Sequence, residues 1–264
     1  MNIIEHNRQA WNRESAAGST WCTPVGADVI QAARKGDWHV ILTPTLPVPA
    51  AWFGDLRGRQ VLCLASGGGQ QAPVLAAAGA SVTSFDLAEA QLAKDRHVAD
   101  RDGLDLRCMR GDMADLSALA DATFDLIFNP VANVFVPDVL PVWRECYRVL
   151  KPGGNLLAGF MNPGFFLFDH DAASRSGSLF VCRRLPYSEP DDLDAAGREA
   201  FALSGRAAEF SHSLAAQIGG QIAAGFAITG FYEDAWTEAA TLLSRFAPVA
   251  IATRATKLAH GGCR

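Results

Sequence analysis

The sequence predicts an α/β fold in which helices cover both faces of a mostly parallel sheet, and three observations carry that reading. From about residue 60 onward, short apolar runs alternate with helical stretches. The first run, Val61-Leu62-Cys63-Leu64-Ala65, leads directly into Ser66-Gly67-Gly68-Gly69. The second, Ser81-Val82-Thr83-Ser84-Phe85, ends on Asp86, seventeen residues after Gly69. Strands alternating with helices imply right-handed crossovers and parallel pairing. Glycines after a buried strand let the backbone turn sharply and come close to a ligand. An acid at the end of the next strand can accept hydrogen bonds from ribose hydroxyls. Strand, glycine turn, helix, strand and terminal acid thus make up half of a Rossmann-like nucleoside site.

The elements follow in order. Residues 1 to about 55 lack strand-helix alternation and are expected to form a helical cap. Short helices fit Asn2 to Ser15 and Asp28 to Lys35, before the proline-punctuated Thr43-Pro44-Thr45-Leu46-Pro47-Val48-Pro49. Ala72 to Ala78 has helical character and Gly79 can close it. Ala88 to Asp102 reads as a helix, Leu104 to Met109 as a third strand leading to Gly111-Asp112, and Phe124 to Phe128 as a fourth closing at Asn129-Pro130. Asp138 to Leu150 carries Val139, Leu140, Trp143, Cys146 and Tyr147 at helical spacing. Lys151-Pro152-Gly153-Gly154 stops that helix, and Asn155 to Met161 makes the fifth strand. Residues 163–211, rich in polar and turn residues, break the rhythm and are expected to be a long loop inserted after it. A helix from Leu214 to Ala224 and strands Phe226 to Phe231 and Pro248 to Thr253 complete a seven-stranded sheet, the last strand antiparallel. The domains expected are therefore the cap, 1–55, and one α/β domain, 56–264, carrying the insertion.

Composition narrows the class. With 49% hydrophobic and 19% charged residues the chain can build a full core, and its net charge of -5 has no Lys/Arg run to bind nucleic acid or an anionic membrane. No stretch reaches transmembrane length, and the first residues lack a basic region and an apolar signal core, so a cytoplasmic protein is expected. Cys22, Cys63, Cys108, Cys146, Cys182 and Cys263 are scattered without a C-x-x-C pair, which favours reduced thiols over disulfides or zinc. No histidine pattern suggests a metal, and none is expected.

Beyond the glycine turn, three segments carry a family likeness: Gly111-Asp112-Met113, Phe124-Asp125-Leu126-Ile127 and Arg148-Val149-Leu150-Lys151-Pro152-Gly153-Gly154. With them the chain resembles the class I S-adenosylmethionine-dependent methyltransferases, in the small-molecule group similar to the ubiquinone-biosynthesis C-methyltransferases. The likeness runs from about Gln60 to Asn162, with a weaker match from Ser213 to Thr256. The first 55 residues and residues 163–211 lie outside it. The resemblance implies that Ser66, Gly67, Gly68, Gly69 and Gln70 surround the methionine part of S-adenosylmethionine. It implies that Asp86 binds the ribose hydroxyls and Leu87 lies against the adenine. Asp112 would accept from the adenine amino group, Met113 would lie beside the ring, and Asn129 would stand near the departing methyl. The family usually has an acid two residues before its first motif glycine. Here those places hold Cys63 and Ala65, so that contact is missing or comes from elsewhere, with Gln70 and the cap as candidates.

Acceptor chemistry is less legible. His212, just before a helix on the carboxyl side of the sheet, is the candidate general base, since histidine titrates near neutrality. Lone histidines are more often structural, and His6, His170 and Asp169 are weaker candidates. Trp11, Trp21 and Asn133 are candidates for acceptor contact, with the tryptophans equally suited to anchoring the cap. Asn129-Pro130-Val131-Ala132 partly matches the Asn-Pro-Pro-aromatic motif of amino-nitrogen methyltransferases but lacks its second proline and its aromatic. The expected function is direct in-line methyl transfer to a small organic acceptor, with no nucleic acid or membrane partner and a homodimer left open. Two other readings stand beside it. A degenerate fold would bind the cofactor as a regulatory or assembly module, and an NAD-dependent oxidoreductase would use the same glycine turn, with Ala72 in its third glycine place.

Overall fold

The computed structural model describes residues 2–259, which leaves Cys263 outside the described part. Two helices come first, α1 (Ile3–Ala17) and α2 (Ala27–Arg34). The alternating part follows as β1 (Gln60–Leu64), α3 (Gln71–Ala77), β2 (Ser81–Asp86), α4 (Glu89–Asp102), β3 (Leu106–Arg110) and β4 (Phe124–Asn129). Then come α5 (Leu140–Val149), β5 (Leu150–Met161), α6 (His170–Ser176), α7 (Glu189–Asp192), α8 (Ala195–Ser204), α9 (Gly220–Ala223), β6 (Phe226–Asp234) and β7 (Ala250–Lys257). The seven strands form one sheet in the order β3-β2-β1-β4-β5-β7-β6. The first five pair in parallel, and β7 runs antiparallel to both its neighbours.

Alternation along β1 explains the two layers. Val61 and Cys63 point to the face covered by Ile30, Val74 and Leu75, while Leu62 and Leu64 point to the face covered by Val142, Trp143 and Cys146. Successive side chains of a strand take opposite faces, so a strand buried on both sides reads as one apolar run. The chain steps outward from β1 to β2 and β3, then returns to lay β4 on the other side of β1. Such a reversal opens a crevice at the carboxyl ends of the strands, the usual ligand position in open α/β sheets.

Several elements depart from the sequence reading. Strand β5 starts at Leu150, which pairs with Phe124 before a bulge, and regular pairing resumes at Leu126 with Asn155. Gly153, at φ 83, turns the backbone through the bulge, so the Lys151–Gly154 stop lies inside the strand. The helix expected over Leu214–Ala224 is a π-helical turn, Ala215–Gly219, running into α9. Gly220 explains the tight packing: a Cβ there would lie 2.8 Å from Leu140 and Trp143 of α5. The 163–211 stretch holds α6, α7, α8 and the 3-10 turn Pro163–Leu167. Its polar residues include helix caps, since Asp169 accepts from the Ala172 amide at 2.8 Å and Asp194 from the Gly197 amide at 2.7 Å.

Candidate functional site

Four strand ends converge on one cleft. The turn after β1 supplies Ala65, Ser66 and Gly67, and β2 supplies Phe85 and Asp86 with Leu87 beyond it. The turn after β3 supplies Gly111, Asp112 and Met113, and the turn after β4 supplies Pro130, Val131 and Ala132. Together with residues of α1 and of the 163–211 stretch they enclose a cavity of about 670 Å³. That size lies within the range of pockets that bury most of a small ligand's surface.

Asp86 organises this end of the cavity. Its two carboxylate oxygens accept from the Gly67 amide at 3.0 Å and the Ala88 amide at 2.9 Å. Each oxygen keeps a lone pair for a further donor. Burial raises its pKa above the usual carboxylate value, against the pull of the backbone amides. Gly67 is required here, because a Cβ would stand 2.7 Å from Gln91 Cβ and 3.1 Å from the Asp86 carboxylate. Asp112 closes the adjacent turn by accepting from the Ala114 amide at 2.9 Å, and its other oxygen has no partner among the described residues. Ser66 Oγ and Gln91 Oε1 are buried without a partner although both residues line the cavity. Orphaned polar atoms around a cavity that ends on a strand-end acid fit a nucleoside with a polar tail.

The second and third glycines serve a different purpose. Gly68 (φ 119) and Gly69 (φ 78) adopt left-handed backbone and turn away from the cavity toward the N-terminal segment. A Cβ on Gly68 would lie 3.0 Å from the Trp21 carbonyl oxygen, and one on Gly69 2.8 Å from Pro24 Cβ. Gln70 lines the cavity but its amide donates to the carbonyls of Thr20 at 2.8 Å and Thr23 at 3.0 Å. Beneath the turn, buried Asp95 accepts from the Gly69 amide at 2.6 Å and from Ser84 Oγ at 2.5 Å. Burial pushes the Asp95 carboxyl up to about 7. The place where the family usually carries an acid holds Cys63, a wholly buried thiol on the face covered by Ile30, Val74 and Leu75.

Of the acceptor candidates, Trp11 and Trp21 line the cavity, Trp11 standing edge-on to Phe135 at 5.0 Å between ring centres. Asn129, Asn133 and His212 do not reach it. Asn129 ends β4 as expected, but its side chain is buried and donates to the Leu64 carbonyl at 3.0 Å. Asn133 is buried and reaches Gln217 at 3.4 Å. The His212 ring donates from Nε2 to the Asn133 carbonyl at 2.9 Å, and burial holds its pKa below the usual histidine value. That ring ties the start of the 215–219 turn to the loop after β4.

Other residues complete the walls. Asn7 of α1 donates to the carbonyls of Phe135 at 2.9 Å and Ala208 at 3.2 Å and accepts from the Ala208 amide at 2.7 Å. This one buried side chain pins α1 to the segment that brings Glu209 into the cavity. Phe165, Phe166 and Trp236 line the same end. The one sequence signal for Glu209 was its place between apolar Ala208 and Phe210, which in extended backbone point the opposite way.

The parallel sheet, the topological switch and the acid at the end of β2 are the arrangement of a nucleotide-binding type of α/β fold. Comparison with known proteins makes that specific. A family described as "Methyltransferase domain" matches residues 62–158. The chain is 48% identical over 256 residues to "Uncharacterized methyltransferase YbaJ" of Bacillus subtilis, covering 97% of this chain and 99% of that protein. It is 31% identical over 168 residues to a ubiquinone biosynthesis O-methyltransferase of Bordetella avium, covering 58% of this chain and 68% of the relative. In structure it resembles the 1,6-didemethyltoxoflavin-N1-methyltransferase of Burkholderia thailandensis, solved with bound 1,6-didemethyltoxoflavin and S-adenosylhomocysteine. That match has a TM-score of 0.59 and 15% identity, over 96% of this chain and 88% of the other. The chain belongs to a methyltransferase family. The described residues contain no helix long and apolar enough to cross a membrane.

Proposed function

We propose that this enzyme moves a methyl group directly to a small organic acceptor, both reactants lying in the one cavity. The observation that carries this reading is the cavity's continuity. It starts at the Asp86 and Asp112 turns and extends to aromatic walls from α1, the loop after β4 and the 163–211 stretch. Ser66, Gly67 and Gln70 border the methionine part, Asp86 takes the ribose hydroxyls, and Phe85, Leu87 and Met113 sandwich the adenine. Asp112 accepts from the adenine amino group through its unpartnered oxygen. Gly68 and Gly69 hold the turn against residues 21–24, and Asn129 keeps the ends of β1 and β4 together. Bound S-adenosylmethionine supplies an electrophilic methyl on a sulfonium. The chain's own residues hold the acceptor in line and exclude water, and positioning of this kind lowers the barrier without a nucleophile on the protein. The segment 1–55 and the insertion 163–211 are the closing parts, joined through Asn7. Five thiols, unpaired among the described residues, suit a reducing cytoplasm.

The test supplies methyl-labelled S-adenosylmethionine to the protein with separated small-molecule, RNA and protein fractions of a cell extract. Label is expected in the small-molecule fraction, and label confined to a macromolecule overturns the reading. With a chiral methyl group the product is expected to show inversion, and retention overturns direct transfer.

A further inference from the structure

Away from the glycine turn the cavity is walled by Trp11, Phe135, Phe165, Phe166 and Trp236, and Glu209 belongs to the same lining. Its backbone is fixed. The Glu209 amide donates to Glu189 Oε2 at 3.3 Å, its carbonyl accepts from the Glu189 amide at 3.0 Å, and the next amide, of Phe210, donates to Val134 at 2.7 Å. Its carboxylate, by contrast, has no hydrogen bond and no ion pair among the described residues. The neighbouring Arg206 is taken by Glu189 at 2.7 Å. Burial, with the nearby Glu189 charge, pushes the Glu209 carboxyl up to about 7. Arg206 and Arg183 lie near enough to act on this carboxylate but are bonded to Glu189 and the Phe168 carbonyl, so it lacks the directly paired countercharge that buried charges normally find.

The rest of the lining shows what could supply it. Asp86, Asp112, Asp138 and Glu209 are its charged residues, and no Lys, Arg or His of the described residues contributes to it. A carboxylate or phosphate acceptor would find no cation in the lining and would meet Glu209 with like charge. A cationic nitrogen would instead gain a charge-assisted hydrogen bond from Glu209 and the faces of the surrounding aromatic rings.

We propose that Glu209 selects the methyl acceptor, and that the acceptor is an amine: a compact molecule with an apolar, ring-sized body whose cationic nitrogen docks on this carboxylate. The proposal rests on the reading of the Asp86 end as the cofactor site, because that assignment leaves the aromatic end for the acceptor. The contact anchors the acceptor and leaves its nucleophilic atom free to face the methyl donor. Sequence reasoning placed the acceptor-side titratable group at His212, three residues further on, whose ring is instead bound to the Asn133 carbonyl.

The experiment titrates the full-length protein, with and without saturating S-adenosylhomocysteine, with matched ligands of equal body and opposite charge. The pairs are phenethylamine against phenylpropionate and tryptamine against indolepropionate, followed by calorimetry. Each ammonium ligand is expected to bind at least about tenfold more tightly than its carboxylate partner, the scale of one charge-assisted hydrogen bond. Glu209→Gln should abolish that preference while S-adenosylhomocysteine binds as in the parent, and Glu209→Asp should keep part of it. Equal binding within both pairs, a preference for carboxylates, or a preference that survives Glu209→Gln would overturn the proposal. The parent protein alone decides the first two outcomes, so a variant that fails to fold does not remove the test. Ammonium preference without S-adenosylhomocysteine binding would instead overturn the cofactor reading and leave Glu209 as the anchor of a different ligand.

Discussion

Replacing Asp86 by Asn tests the cofactor end at its most constrained atom pair. In the parent, one carboxylate oxygen accepts from the Gly67 amide at 3.0 Å and the other from the Ala88 amide at 2.9 Å. The remaining lone pair on each oxygen is the acceptor assigned to a ribose hydroxyl. Asparagine has the same shape but only one acceptor oxygen, and its NH2 group must face either an amide N–H or a hydroxyl. Hydrogen bonds to a charged group are worth roughly 1.5–3 kcal/mol each. Losing the charge from two ribose contacts, and one acceptor outright, should cost about 2–4 kcal/mol, or on the order of 30- to 1000-fold in affinity. The amide left unpaired should also lower folding stability by about 1–3 kcal/mol. Calorimetry with S-adenosylhomocysteine reads the first quantity and chemical denaturation the second. If affinity stays within about threefold of the parent while the variant is folded, Asp86 is not the ribose acceptor and the assignment fails.

The remaining predictions address the frame around the cavity. Asp95 binds its proton more tightly in the fold than in the open chain, so the folded state holds more protons between about pH 4 and 7 and stability should fall as pH rises through that window. Asp95→Asn can still accept from Gly69 and donate to Ser84; it should flatten the profile and match or exceed the parent's stability at pH 8, whereas a parallel profile would refute the buried-acid account. Gly69→Ala places a Cβ 2.8 Å from Pro24 at positive φ and should cost about 1–3 kcal/mol of stability, with weaker cofactor binding, measured by thermal unfolding and titration. His212→Gln should lower the melting temperature but leave kcat within a few-fold of the parent, since the ring is bound to a carbonyl outside the cavity; a fall of about 10²–10⁴-fold in kcat would reinstate it as the general base.

How much of this was legible in the sequence follows from where the chemistry lies. The unit from β1 to β2 is local: a buried strand, glycines where φ is positive and an acid at a strand end can each be recognised within a few residues. Gly67 to Asp86 and Gly111 to Met113 were therefore readable. The aromatic end of the cavity is assembled from α1, the loop after β4, the turn after β5 and residues 209 and 236, none with a local signature. Asn7 reads as an ordinary helix residue until the fold places it against Phe135 and Ala208. The 163–211 stretch read as a loop because its helices are short and its acids, Asp169 and Asp194, sit at helix starts where a cap and a turn look alike. His212 was placed on the correct side of the sheet, but periodicity does not tell which way a ring points.

The central claim, that this cavity holds a methyl-donor nucleoside on Asp86 and Asp112, is tested most directly by titrating the full-length protein with S-adenosylhomocysteine and, separately, with NAD. The account predicts one saturable site for S-adenosylhomocysteine per chain, weakened in Asp86→Asn, and no heat from NAD. Saturable NAD binding that S-adenosylhomocysteine does not displace, or no S-adenosylhomocysteine binding by folded protein, would contradict it.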